Sequence, residues 1–363
     1  ECRLQYRSFV RKPSTPKIGM TTSSLSQHGP QRGHHKNWFR WLCMSGWILL
    51  VSYLEFYWWW REHKPHMHVL MDASQGVLTG TPHWRAYQNR LLGPALVHAL
   101  GWFSALPLKT LAIIGLLSSN TMLYVMCARL GAAQGITGWP VAVPLLLPWA
   151  GWRLGSHFWS YPWDFVETHV LLMLAYLACT LPTARIGWLV ALFAVAITSR
   201  ESALFIPLFI IIRAVLTDFP ERWRHLVLAL AMMVAGVVFV QATRHLLFVH
   251  SSLPEVGLDH AHAALGNHLT FDINQADWIN FLATGAHRNA FILVIVLTVF
   301  YAGAGWQLWR RNALSGAALA WTMLAYMLAI VRFAHIKEGR IYQPVGACTA
   351  LLAASAACTT DAC

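Results

Sequence analysis

Charge is scarce in this chain. Asp, Glu, Lys and Arg together make up 12% of its 363 residues, about half the share in an ordinary soluble domain. With hydrophobic residues at 56%, that scarcity excludes a water-soluble fold, whose core cannot absorb so much apolar material. Acids are the rarer sign, 15 against 27 Lys plus Arg. The seven cysteines (Cys2, Cys43, Cys127, Cys179, Cys348, Cys358 and Cys363) sit in apolar runs or tails with no CxxC pair, which excludes a disulfide framework or a zinc ribbon. HExxH is missing as well. No internal repeat of apolar runs is evident, which weighs against the repeat-built layout common among secondary transporters.

The sequence does hold apolar stretches, most of them near the ~20 residues a helix needs to cross ~30 Å of hydrocarbon. Apolar length and flanking charge predict an all-α polytopic transmembrane helix bundle of about ten spans: 39–60, 108–127, 136–150, 166–181, 186–198, 202–217, 225–248, 290–308, 313–331 and 341–358. Residues 1–37 read as a disordered basic cytoplasmic tail and 38–363 as a single transmembrane domain. About half of the net charge of +12 lies in the first forty residues, in Arg3, Arg7, Arg11, Lys12, Lys17, Arg32, Lys36 and Arg40. Cations placed there set orientation by the positive-inside rule and do not call for a nucleic-acid partner. Glu1 to Gly19 precede a Met20 and read equally well as upstream sequence. The first apolar run is too long, and lacks the small-residue site, for a cleaved signal peptide.

Arg129, Arg185, the Arg213 to Arg224 cluster and Arg310-Arg311 fall on the tail's side of this alternation. Five segments fall on the other: Arg61 to Pro107, Gly151 to Phe165, Ser199 to Glu201, Val249 to Asn289 and Arg332 to Arg340. They carry most of the acids, so a polar reaction site is expected at the extracytoplasmic face. Tyr87 to Trp102 suits a helix lying at the interface in the first outward loop. Spans 136–150 and 186–198 are short, as helices beside a protein-enclosed aqueous cavity can be. The Ser199-Arg200-Glu201-Ser202 interruption therefore reads as a break between two helices. The competing arrangement is one long tilted helix over 186–217, with Arg200 and Glu201 paired inside the bundle.

Several outward residues suit chemistry. Asp72, in the first outward loop, is placed for a general base acting on an acceptor hydroxyl, since partial desolvation tunes a carboxylate toward that task; a helix N-cap or a solvated loop acid is the plainer role. Glu62 is the second acid of that loop. Asp164 and Glu167 share a helix face at i, i+3, with the spacing to hold a divalent cation or sugar hydroxyls, although Asp164 also fits a helix cap and Arg153 can neutralise the pair. Lys337 and Arg340 flank Glu338 ahead of Tyr342; a fork of guanidinium donors plus an ammonium suits a phosphate, with snorkelling to the interface as the plainer role. His260 and His262 invite zinc with a neighbouring carboxylate, but their spacing favours a solvated polar loop, and no metal or cofactor is assigned. Trp84, Trp152, Trp159, Tyr161 and Trp163 fit an interfacial aromatic belt better than a sugar-stacking platform.

The long outward loop with Asp72, the helix led by Tyr87-Gln88-Asn89-Arg90 with Leu92 and Pro94, the Ser-Arg-Glu-Ser break and the late Lys-Glu-Gly-Arg-Ile-Tyr-Gln-Pro turn together resemble the GT-C superfamily of polytopic glycosyltransferases. The likeness is one of layout and loose motifs over most of the chain after Trp38. It implies transfer of a sugar from a polyprenyl-phosphate carrier to a hydroxyl acceptor on the extracytoplasmic side. It places Asp72 as the catalytic carboxylate beside the reacting hydroxyl, with Arg200, Lys337 and Arg340 on the carrier phosphate. Arg90, Arg153, Asp164, Glu167, Glu201, Glu338 and Tyr342 complete the expected substrate-binding set. The expected partners are a lipid-linked sugar donor, membrane lipid and a glycan, lipid or protein acceptor. Two features depart from the usual pattern: Asp72 lacks an acidic neighbour, and no sizeable soluble domain follows the last span. A polysaccharide polymerase or ligase using a lipid-linked glycan, and a secondary transporter, are the other classes this layout admits.

Overall fold

The computed structural model of the chain describes residues 33–79, 90–103, 106–107, scattered positions from 110 to 125, 186–218, 221–248, 271–285 and 288–333. All regular structure among the described residues is helical. In chain order the helices are α1 (Gly33–His63), α2 (Met67–Leu78), α3 (Leu92–Phe103), α4 (Ile186–Ile197), α5 (Phe205–Leu216), α6 (Arg222–Phe248), α7 (Phe271–Thr284), α8 (Arg288–Arg310) and α9 (Leu314–Phe333). Two 3-10 turns join neighbours, Lys64–His66 between α1 and α2 and Glu201–Leu204 ahead of α5.

Three of these helices, α6, α8 and α9, are long and apolar enough to cross a membrane. Their two-sided apolarity is the reason. On α6, His225, Ala229, Met232, Gly236, Val240 and Thr243 are buried at steps of three and four residues, the face a helix turns to its neighbours. Val227, Leu230, Val234 and Val238 lie on the other side and are well exposed. A helix apolar all round finds no such surroundings in water but finds them in lipid. The chain is accordingly embedded in a membrane. The same division recurs on α8, with Phe291, Val294, Tyr301 and Leu308 inside and Ile292, Val296, Val299 and Trp306 outside.

The α8–α9 hairpin is closed by Asn312 at φ 58°, while the Ala313 N–H donates to the Leu308 carbonyl at 2.9 Å. Asparagine tolerates this left-handed conformation, which ends a helix by satisfying its last carbonyls. Close approach of the two helices depends on Gly305, because a Cβ there would overlap the Trp321 indole of α9. Helix α9 is the most enclosed of the three, with Ala317, Ala318, Leu319 and Ala320 all fully buried. It packs on α5, where Phe205 meets Tyr326 edge-on at 5.1 Å between ring centroids, and on α7 and α8. Phe291 on α8 receives Trp278 and Phe281 of α7 at 4.5 Å and 4.8 Å.

Helices α4, α5, α6, α8 and α9 coincide in position with five expected spans. Elsewhere the structure differs. The first helix runs on to His63 and begins at Gly33, ahead of the expected boundary at residue 38, and the segment after it is helical through Leu78. Pro65 explains the joint: its ring lacks an N–H and disfavours helical geometry at Lys64, so the chain passes through a 3-10 turn before resuming as α2. The expected outward loop from Val249 to Asn289 contains α7, which includes Asp272 and Asp277. Its rings hold it against α8, so packing sets its conformation despite the polar composition. Scattered positions from Thr110 to Val125 are helical, as the span 108–127 requires. Spans 136–150, 166–181 and 341–358 lie outside the described residues.

Candidate functional site

The interruption at Ser199-Arg200-Glu201-Ser202 is a true break in the helix. Helix α4 closes with a turn in which the Ser199 and Arg200 N–H groups both donate to the Ala196 carbonyl, at 2.8 Å and 3.0 Å. Arg200 is then fully extended, with φ −167° and ψ 154°, before the 3-10 turn leads into α5. Each flanking helix has 12 residues, or about 18 Å at 1.5 Å per residue, too short to cross the hydrocarbon alone. The uninterrupted tilted helix considered for 186–217 is therefore not what forms.

A break in a helix leaves helix-end carbonyls without their usual partners. Thr198 solves this with a distant segment: its carbonyl accepts from the N–H groups of both Leu91 and Leu92, at 2.9 Å and 3.0 Å. Those donors belong to the start of α3, where N–H groups lack intrahelical acceptors. Two helix ends cap each other. The consequence for chemistry is placement, because the contact sets Arg90 and Arg200 beside the same junction, one residue from Leu91 and two from Thr198. Arg90 is 6% exposed, Ser199 is buried, and Arg200 and Glu201 are partly buried. Gly236 of α6 completes the junction; a Cβ there would come within 2.8 Å of both Leu204 and Phe193.

The far end of α5 is different in kind. Around its turn into α6, Arg222 pairs with Asp218 at 3.0 Å and Arg224 with Glu221 at 3.7 Å, and these exposed pairs have the weak, solvent-screened character of surface ion pairs. This is the basic turn expected on the cytoplasmic side. The break stands one α5 length away.

Asp72 lies in the middle of α2 and is exposed. It is neither an N-cap nor a loop residue. Its helix packs on α3, which links it through the Thr198 contact to the arginines. Arg153, Asp164, Glu167, Lys337, Glu338, Arg340 and Tyr342 lie outside the described residues, as do His260, His262 and His268. Among the described residues no group of three His, Cys, Asp or Glu side chains is placed to hold a metal ion.

Sequence reasoning passed over the inner face of α1. Ser52, Glu55, Trp59 and His63 follow one another at steps of three and four and are all buried, Glu55 at 2% exposure. The His63 Nδ1–H donates to the Trp59 carbonyl at 2.8 Å and the two rings stack; this bond makes Nε2 the acceptor nitrogen of the neutral ring. The signal was present in the sequence: Glu55 is a lone carboxylate inside an apolar run, and such residues are functional candidates by default.

Comparison of the chain with family models, curated proteins and solved structures finds no match. The site must be read from its own chemistry. The junction brings the chain positions of two arginines and a serine to one helix break, and Arg is the residue type whose forked donors suit phosphate oxygens.

Proposed function

We propose that this chain is a membrane glycosyltransferase of the GT-C kind. It moves a sugar from a polyprenyl-phosphate carrier to a hydroxyl acceptor at the extracytoplasmic face, within a bundle of about ten spans in a bacterial inner membrane. The observation that carries the reading is the junction where Leu91 and Leu92 donate to Thr198 and set Arg90 and Arg200 at one helix break. Departure of a lipid phosphate from an anomeric carbon builds negative charge on the leaving group and positive charge on the ring. Fixed cations on one side and a carboxylate on the other lower that barrier. Arg90 and Arg200 supply the cations, joined by Lys337 and Arg340, and Asp72 takes the proton of the acceptor hydroxyl. Glu201 orients Arg200, as Glu338 orients Arg340.

Binding of a long-chain polyprenyl phosphate to the purified protein in lipid nanodiscs tests this. Each of Arg200→Ala and Arg90→Lys should weaken binding by about 10- to 100-fold, the scale of a lost charge-assisted hydrogen bond. The lysine variant keeps charge but loses the fork. Unchanged affinity in both variants refutes the assignment. A broken helix is also a hallmark of secondary transporters, and the break at Arg200 is the one feature favouring that class. Formation of a glycosylated acceptor from the lipid-linked donor, rather than accumulation of an unaltered solute in sealed vesicles, separates the two.

A further inference from the structure

The exposed apolar stripes of two spanning helices end in the same chemistry. On α6, Trp223, Val227, Leu230 and Val234 follow one another at steps of three and four and are all exposed, so they form one stripe. It opens with Trp223, 67% exposed, and the Arg222 guanidinium lies over that ring at 5.6 Å. On α8 the stripe through Ile292, Val296 and Val299 closes with Trp306 and Trp309, both exposed and 5.1 Å apart between ring centroids. Arg310 and Arg311 follow at once, also exposed.

Both terminations lie at one end of the bundle. Helices α6 and α8 are each long and apolar enough to cross a membrane, and the chain between them, 249–287, has no apolar run of that length. It therefore leaves and returns on one side, which puts Arg222 and Arg310 together on the other. Helix α5 packs on both α6 and α9, so the α5–α6 turn and the α8–α9 turn belong to neighbouring helices, with axes about 8–10 Å apart. Charge here is one-sided. Arg213, Arg222, Arg224, Arg310 and Arg311 are set against two acids, Asp218 and Glu221, and the hairpin from Arg288 to Arg332 contains no acid.

The positive-inside rule accounts for arginines in such turns, but not for tryptophans set against them. A Trp ring settles at the headgroup level, where apolar and wet surroundings meet. An adjacent arginine then reaches the phosphate layer with its forked donors. We propose that the α5–α6 and α8–α9 turns form one docking surface for anionic phospholipid headgroups, with the arginines on the phosphate oxygens and the tryptophans against the glycerol region. Because each Trp continues an exposed apolar stripe, the surface fits a lipid rather than an acidic protein. It stands one α5 length from the break and does not depend on what the chain transfers.

The test follows the melting temperature of the full chain in detergent as dioctanoyl phosphatidylglycerol, or its zwitterionic phosphatidylcholine counterpart, is added. The anionic lipid should raise it saturably, less so at high salt, and the zwitterionic lipid should not. The paired changes Arg310→Gln with Arg311→Gln, and Arg222→Gln with Arg224→Gln, should each move the midpoint of that titration upward by about five-fold per arginine, roughly 25-fold for a pair. Each midpoint is read against the variant's own lipid-free baseline, which separates lost docking from a weakened fold. Equal stabilisation by the two lipids, or an unchanged midpoint in either pair, overturns the proposal. So does stabilisation by inorganic phosphate or poly-glutamate that matches the anionic lipid, since the surface would then take a free anion or an acidic protein.

Discussion

Two glycines on α8 should respond in opposite directions to the same substitution. Gly303 and Gly305 are two residues apart, so about 200° separates them around the helix. A Cβ built at Gly303 meets nothing within 4 Å, whereas one at Gly305 runs into the Nε1 edge of Trp321. Replacing a mid-helix glycine by alanine gains roughly 0.5–1 kcal/mol through the backbone entropy of the unfolded chain. Gly303→Ala should gain that much. Gly305→Ala receives the same gain but must displace a rigid indole, and overpacking of this kind costs about 1–3 kcal/mol. The net effect is destabilising by up to about 2.5 kcal/mol. The two variants should therefore differ by about 1–3 kcal/mol, or roughly 2–4 °C of melting temperature per kcal/mol. Thermal denaturation in one detergent measures it, and Trp321→Leu in the Gly305→Ala background provides the internal check. Removing the indole should abolish most of the cost, giving a coupling energy above 0.5 kcal/mol, as expected for residues in contact. If both glycine variants melt together, or if Trp321→Leu gives no rescue, α8 and α9 do not pack through this contact.

Two further outcomes concern the site. Leu92→Pro removes one of the two donors to Thr198 at the first position of α3, where proline is tolerated, while Leu92→Ala trims the side chain and keeps the N–H. The proline variant should lose about 0.5–1.5 kcal/mol more than alanine and bind polyprenyl phosphate several-fold more weakly; equal carrier binding by the two would mean that the Thr198 contact does not position Arg90. Asp72→Asn should reduce sugar transfer by about 10²- to 10⁴-fold with carrier binding intact, measured by product formation from a radiolabelled lipid-linked sugar, and activity within a few-fold of wild type would move the base elsewhere.

Helices α6, α8 and α9 were legible because their sequences are apolar around the whole circumference, a pattern that little but lipid can stabilise. The break at Arg200 was legible too, since four polar residues between two apolar runs leave no continuous helical face to bury. Its partner was not. A backbone bond from Leu92 to Thr198 involves no side chain and leaves no trace in composition, so the start of α3 was expected at Tyr87, and nothing linked that segment to the break. Helix α7 was hidden for another reason: Asp272, Asn274, Asp277 and Asn280 gave it a loop's composition, while three rings, Trp278, Phe281 and Phe291, decide its state. Glu55 was lost among Tyr53, Phe56, Tyr57 and Trp58, where one acid scarcely alters the apolar character of the window.

The mutual capping at Thr198 also bears on why so costly a feature as a broken helix is stable here. Unwinding a helix in an apolar medium exposes carbonyls, and starting another exposes N–H groups; each defect alone is expensive. Brought together, the two satisfy one another, so the break between α4 and α5 and the beginning of α3 are a single structural event. This makes the first loop more than a cover. Through α3, the segment bearing Asp72 is tied to the segment bearing Arg200 by one helix packing contact and one pair of backbone hydrogen bonds. On the proposed reading, this link sets the segment with the carboxylate relative to the segment with the cation. A sugar transfer in which proton abstraction and phosphate departure occur on opposite sides of one carbon needs such a register, held before the substrates arrive.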